Sequence, residues 1–224
     1  MVDDIIKQVK DFYDEAGVHF SRTRQKTYGN GKSSNWRVTD RYLSRLRPGQ
    51  IVLDIGCGNG KLVSGLPEGV GYVGTDFSQT LLTEARTLYP NFDFRLGDVT
   101  KPEHWDNLGE YDAIFAVALL HHIPTRELQL WVLKQAKKHL KKGGFLYLTV
   151  WNLWQERFLQ YHLDGYASVP FQKKWDRYCV TFDLAGINEL FTLAGWDVNE
   201  IFYADTAGEK ANIQTGQNLV VVAR

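Results

Sequence analysis

The stretch Ile51-Val52-Leu53-Asp54-Ile55-Gly56-Cys57-Gly58-Asn59-Gly60 decides how the rest of this chain is read. Four apolar, strand-favouring residues surround Asp54, so a buried strand is expected over 51–55. The three glycines that follow let its backbone turn sharply and come close to a ligand. A turn of this kind serves a dinucleotide when it reads GxGxxG and an acid stands about 20 residues further on. Here the third glycine comes one place early, Lys61 stands where that pattern has its last glycine, and Asp54 precedes the turn on the strand itself. A structural tight turn without a ligand is the alternative at this point.

Outward from this stretch the chain alternates. Strands are expected at 51–55, 72–75, 92–96, 111–116 and 145–150. Helices are expected near Lys61, at 78–88 and at 126–140, with Gly143-Gly144 as the last stop. That rhythm predicts a parallel sheet with right-handed crossovers and helices on both faces. A ligand then belongs at the carboxyl ends of the strands. Beyond Val150 the rhythm breaks for 151–180, rich in aromatics (Trp151, Trp154, Phe158, Tyr161, Tyr166, Phe171, Trp175, Tyr178) and expected to lie over the strand ends. A helix over 184–193 and strands over 196–203 and 218–222 close the chain. Before the first strand, an amphipathic helix is expected over 3–16, with Asp3 and Asp4 at its start and Gly17 as its stop. A polar, glycine-bearing loop (17–35) and a second helix (36–46) follow. The expectation is a single domain of 1–224, divided into 1–47 (N-terminal helices and loop), 48–150 (core), 151–182 (insertion) and 183–224 (last helix and strands).

Lys plus Arg and Asp plus Glu number 26 each, so overall charge selects no partner class. Its distribution is uneven: between Arg22 and Arg47 there are eight basic residues against one acid, Asp40. Cys57 and Cys179 match no ligand spacing, so neither a disulfide framework nor a metal site is expected. The N-terminus carries acids where a secretion signal needs basic residues, and the apolar run 114–120 is too short to span a bilayer. A cytoplasmic protein without a membrane partner is the expectation.

Three further motifs carry chemistry. Tyr72-Val73-Gly74-Thr75-Asp76, followed by Phe77, ends the second strand with an acid 22 residues beyond Asp54. A carboxylate there can accept both hydroxyl hydrogens of a ribose, or else cap the next helix. Leu96-Gly97-Asp98-Val99 ends the third strand with another acid, which alternatively forms a turn. Ala116-Val117-Ala118-Leu119-Leu120-His121-His122-Ile123-Pro124 follows the fourth strand; its imidazoles can act as bases or simply pack. The acid before GxGxG, taken with these motifs in order, resembles the class I S-adenosylmethionine-dependent methyltransferases. The resemblance implies a Rossmann-like, doubly wound α/β fold whose mostly parallel seven-stranded sheet has an antiparallel last strand. It also implies that S-adenosyl-L-methionine is held by Asp54, Gly56, Cys57, Gly58, Gly60, Asp76, Phe77, Asp98, Val99, Ala116 and Val117.

A narrower resemblance lies outside the donor motifs. Tyr13-Asp14-Glu15-Ala16, Phe20-Ser21-Arg22-Thr23-Arg24, Trp151-Asn152-Leu153-Trp154-Gln155 and Arg177-Tyr178 look like the methyltransferases of the carboxymethylated wobble uridine of tRNA. The chain departs from that family in the 29–35 insertion before Trp36, which lacks the family's following proline, and in Val180 at a position where the family commonly has histidine. The resemblance implies a tRNA partner and, by analogy with some relatives, a small zinc-binding activator subunit. An acceptor carboxylate is already ionised at neutral pH and needs a cationic clamp rather than a base. Arg22 and Arg24 are the candidates for that clamp, with His121 as a further catalytic candidate; the alternative for the arginines is a solvated basic loop. Tyr28, Trp36 and Tyr42 within the basic run suit stacking on single-stranded nucleic acid, or else packing on the sheet. Methylation of a small-molecule acceptor is the second expectation, and a donor-binding scaffold without turnover the third.

Overall fold

The computed structural model describes residues 2–25 and 37–224, apart from the side chains of 18 and 20–25. Its elements in order are α1 (Val2–Gln25), α2 (Arg37–Leu43), β1 (Ile51–Ile55), β2 (Gly71–Asp76), α3 (Gln79–Leu88), β3 (Asp93–Leu96), α4 (Pro102–Trp105), β4 (Tyr111–Val117), α5 (Arg126–Lys138) and β5 (Leu140–Trp151). Then come α6 (Glu156–Leu159), β6 (Tyr166–Phe171), β7 (Trp175–Val180), α7 (Leu184–Leu193), β8 (Val198–Ala204), β9 (Lys210–Ala211) and β10 (Asn218–Ala223). Two short 3-10 turns, Lys61–Gly65 and Leu120–His122, follow β1 and β4.

The main sheet runs β3-β2-β1-β4-β5-β10-β8-β9. Strands β1 to β5 pair in parallel, and β10 inserts antiparallel between β5 and β8. The seven expected strands and the reversed last one are therefore present, and the two-residue β9 adds an eighth at the edge. The sheet is covered on both sides. Leu53 and Ile55 face a core shared with residues of α5 and α7, while Val52 faces one shared with α2 and α3. Double coverage explains why β1 reads as an almost unbroken apolar run rather than an alternation. Each fully buried aliphatic side chain there contributes about 1.5–3 kcal/mol.

The N-terminal helix differs from the expectation. It does not stop at Gly17 but continues to Gln25. A Cβ at Gly17 would lie 3.1 Å from Leu81 Cδ2, so this glycine permits close approach of α1 to α3 rather than ending the helix. The Ser78 side chain, which caps α3, donates to Asp14 Oδ1 at 2.7 Å and fixes the same contact. The rest of the expected loop, 26–35, and Trp36 lie outside the described residues, and the second helix, expected over 36–46, spans Arg37–Leu43.

The aromatic stretch contains α6 and the hairpin β6-β7, which forms its own two-stranded sheet. The hairpin packs against α1 through the Phe12 and Phe171 rings, 5.5 Å apart, and the Trp175 indole N–H donates to Glu15 Oε2 at 3.1 Å. Among the described residues, no helix is long and apolar enough to cross a membrane.

Candidate active site

A cleft opens at the carboxyl ends of β1, β2 and β4, as the topology requires. Between its walls, with the open mouth included, lies about 1070 Å³ of space. The glycine turn forms its floor. Gly56 N–H and Cys57 N–H donate to the Thr75 carbonyl, binding the turn after β1 to β2. Gly56, Gly58 and Gly60 all have left-handed backbones, with φ of 73°, 55° and 75°. A Cβ at Gly56 would strike Leu119 and one at Gly60 the Phe94 ring, whereas at Gly58 the nearest atom is Leu81 Cδ1 at 3.8 Å. Gly58 thus presents bare backbone to the open cleft.

Two carboxyls converge beside it. Asp76 is 8% exposed; its Oδ2 accepts from Gly58 N–H and its Oδ1 from Ser78 N–H, both at 2.8 Å. Burial pushes its pKa up to about 6 despite those backbone donors. Each oxygen retains a lone pair, so the group can still accept from ligand hydroxyls. The cap of α3 is Ser78, not Asp76. Asp54 is 2% exposed and accepts from Tyr72 OH at 2.9 Å; burial raises its pKa to about 7, with the Asp76 charge adding to the rise. The Cys57 thiol, beside both acids, is pushed well above its ordinary value by burial.

The wall beyond β4 depends on a strained residue. Ala118 has φ 57°, a conformation that costs a non-glycine residue about 1–2 kcal/mol, and its N–H is held by the Thr149 carbonyl and hydroxyl. After this bend, His122 turns into the cleft. Its Nδ1–H donates to the Tyr178 carbonyl at 3.0 Å, which leaves Nε2 to accept from Tyr13 OH at 2.8 Å. Burial lowers the His122 pKa to about 4, so the ring is neutral and holds Tyr13 from α1 against the cleft. Trp151, at the end of β5, completes this wall.

Of the residues expected to bind the donor, Asp54, Gly56, Cys57, Gly58, Asp76, Phe77 and Val117 line the cleft, and Gly60 supports the turn. Asp98 lies outside the lining, engaged with Thr100 N–H and Oγ1 at 2.9 and 2.7 Å, and Val99 and Ala116 are buried in the core. His121 is also fully buried, against the Trp151 ring, so the cleft receives His122 instead. Ligating atoms of His121, His122 and Cys179 lie within 4.8 Å of one another, but both nitrogens of His122 are already used. The side chains of Arg22 and Arg24, and all of Tyr28 and Trp36, lie outside the described residues. Tyr42 is buried against Tyr147 at 4.8 Å, a packing role. The lining also takes in Tyr13, Thr39, Ala118 and Trp151, which no local spacing marks as site residues. Tyr13 and Trp151 stand within the quoted motifs, whereas an alanine with positive φ leaves no trace in a sequence.

A family model described as a methyltransferase domain matches residues 24–201. The chain belongs to this family. It is 30% identical over 147 residues to the tRNA (carboxymethyluridine(34)-5-O)-methyltransferase of Saccharomyces cerevisiae, a match covering 66% of this chain and 49% of that one. The chain thus spans about half the length of this yeast relative. It is 31% identical over 199 residues to a protein of Encephalitozoon cuniculi named as a methyltransferase, covering 85% of this chain and 87% of that one. In three dimensions it resembles a Haloferax volcanii methyltransferase solved with the Trm112 methyltransferase activator, at TM-score 0.70 and 17% identity over 96% of both chains. That last likeness supports the class I methyltransferase fold.

Proposed function

We propose that this protein transfers the methyl group of S-adenosylmethionine to a carboxylate, that of a carboxymethylated wobble uridine in tRNA, and that residues 1–224 form one methyltransferase domain. The observation that carries the donor assignment is that bare Gly58 backbone and the Asp76 carboxylate face one cleft. A side chain at Gly58 would fill the space a ligand needs, and Asp76 is positioned to accept from ribose hydroxyls. Asp54 and Phe77 complete that end; Asp98, Val99 and Ala116 support it from outside the lining. Bound there, the sulfonium supplies an electrophilic methyl group.

The chain's own residues then have to align acceptor and donor, since in-line displacement depends mainly on positioning. A carboxylate, with an unperturbed pKa of about 4, arrives ionised, so no proton has to move. The neutral His122 fits this chemistry: its Nε2 is occupied by Tyr13 OH, making the pair a rigid wall rather than a base. Trp151 lines the same cleft. The acceptor assignment is supported by the names of relatives at about 30% identity. A cytoplasmic location and an activator subunit accompany this reading.

The test combines purified protein, S-adenosylmethionine, an activator of the Trm112 kind, and tRNA bearing unmethylated 5-carboxymethyluridine. A base-labile methyl ester found by nucleoside mass spectrometry is the expected product; its absence overturns the acceptor assignment. Methylation of a small molecule is the second reading. It is favoured by the engagement of Arg41 with Glu209 and Arg45 with Glu200, which removes two cations from the basic run.

A further inference from the structure

Arg177, on β7, is 9% exposed, and no carboxylate pairs with it among the described residues. The chain holds no acid between Glu15 and Asp40, so the segment outside the described residues cannot supply one either. Glu15 instead accepts from the Trp175 indole, and Asp176 is exposed on the other side of the strand. The Arg177 Nε–H is buried without an acceptor. What surrounds the guanidinium is aromatic: its carbon lies 4.5 Å from the Trp151 ring centroid, 5.2 Å from Phe171 and 5.7 Å from Phe12.

A buried cation whose Nε–H has no acceptor is costly, and ring faces offset that cost only in part. A bound anion would offset the rest. Trp151, against which Arg177 lies, lines the cleft, and so does Tyr13. His122, beside them, is held neutral and does not compete for an anion.

We propose that Arg177 anchors the acceptor's carboxylate at the Trp151 wall of the cleft, its guanidinium donating to the anion in the two-pronged geometry that suits a carboxylate. This rests on the carboxylate-methylating reading above. It also gives product release a cause: the methyl ester is neutral and loses the charge-assisted bonds that held the acid.

The test is equilibrium binding with S-adenosylhomocysteine present, comparing 5-carboxymethyluridine with its methyl ester and phenylacetate with methyl phenylacetate. Wild-type protein is expected to prefer each acid over its ester by at least about tenfold. In Arg177→Met that preference should vanish while the affinity for S-adenosylmethionine is unchanged. Retained preference in Arg177→Met, or no preference for either acid in the wild type, overturns the proposal. If phenylacetate shows the Arg177-dependent preference and 5-carboxymethyluridine does not bind, the anchor stands and the wobble-uridine reading falls. Should Arg177→Met fail to fold, Arg177→Lys decides, because it keeps the charge and loses the planar fork. Its affinity for the acids should fall at least about fivefold with donor affinity intact, and unchanged acid affinity overturns the proposal.

Discussion

Gly58 and Gly60 share a left-handed backbone for different reasons, and substitution separates them. Alanine at either position incurs about 1–2 kcal/mol of backbone strain. At Gly60 its Cβ would also meet the Phe94 ring at 2.7 Å, whereas at Gly58 it meets only Leu81 Cδ1, at an ordinary 3.8 Å. Gly60→Ala should therefore lower the melting temperature clearly more than Gly58→Ala, while Gly58→Ala should weaken S-adenosylmethionine binding by tenfold or more in calorimetry. Equal melting shifts with unchanged donor affinity would remove the turn from the site. Asp76 makes a pH prediction. Its pKa is raised to about 6 from an ordinary 3.8. A raised carboxyl pKa contributes stability that is present below the unfolded pKa and lost as pH rises through the folded value. Hence this group favours the free protein near pH 4 and ceases to do so above about 6. Donor binding has the opposite sign, because the ribose hydroxyls need the ionised form. Affinity should be about tenfold lower at pH 5 than at pH 7.5, and in Asp76→Asn it should be weak, with a smaller pH dependence left to Asp54. A flat wild-type profile would contradict the role.

The elements that build the site come from distant parts of the chain, and α1 is the one whose placement is easiest to disturb. Gly17 lets it approach α3, and Tyr13 enters the cleft from it. Gly17→Leu should lower the melting temperature by several degrees, as overpacking costs about 1–3 kcal/mol, and should weaken donor binding as well. Thermal melts with and without donor check this; an unshifted melt would show that α1 does not depend on that approach. The same residue shows why part of the structure was legible and part was not. Strands β1, β2 and β4 could be read because double coverage leaves apolar runs, against which the acids Asp54 and Asp76 of the first two stand out. Gly17 misled because a glycine that ends a helix and one that admits a neighbouring helix look alike in sequence. The β6-β7 hairpin was hidden by Pro170, a residue that argues against a strand, and by connections without a simple turn motif. In the site, Asp54, the glycines and Asp76 follow from local pattern. Tyr13, His122, Trp151 and Arg177 meet only through tertiary packing, which no local spacing encodes.

At the scale of the whole molecule, the balanced charge of 26 basic and 26 acidic residues leaves no strong long-range attraction for a polyanion. Any tRNA affinity must then come from local phosphate contacts and fall with salt. Between 50 and 200 mM salt it should drop by tenfold or more, while donor affinity stays unchanged. Filter binding beside calorimetry measures both; salt-independent acceptor turnover would favour the small-molecule reading. Because donor binding stabilises the folded state by mass action, saturating S-adenosylmethionine should also raise the melting temperature of the wild type. The most direct test of the central claim is a calorimetric titration of S-adenosylmethionine into the wild-type protein and into Asp76→Ala. One-site binding to the wild type that disappears in a variant still folded, with a lower but cooperative melt, is the predicted result. No binding to the wild type, or equal affinity in the two proteins, would contradict it.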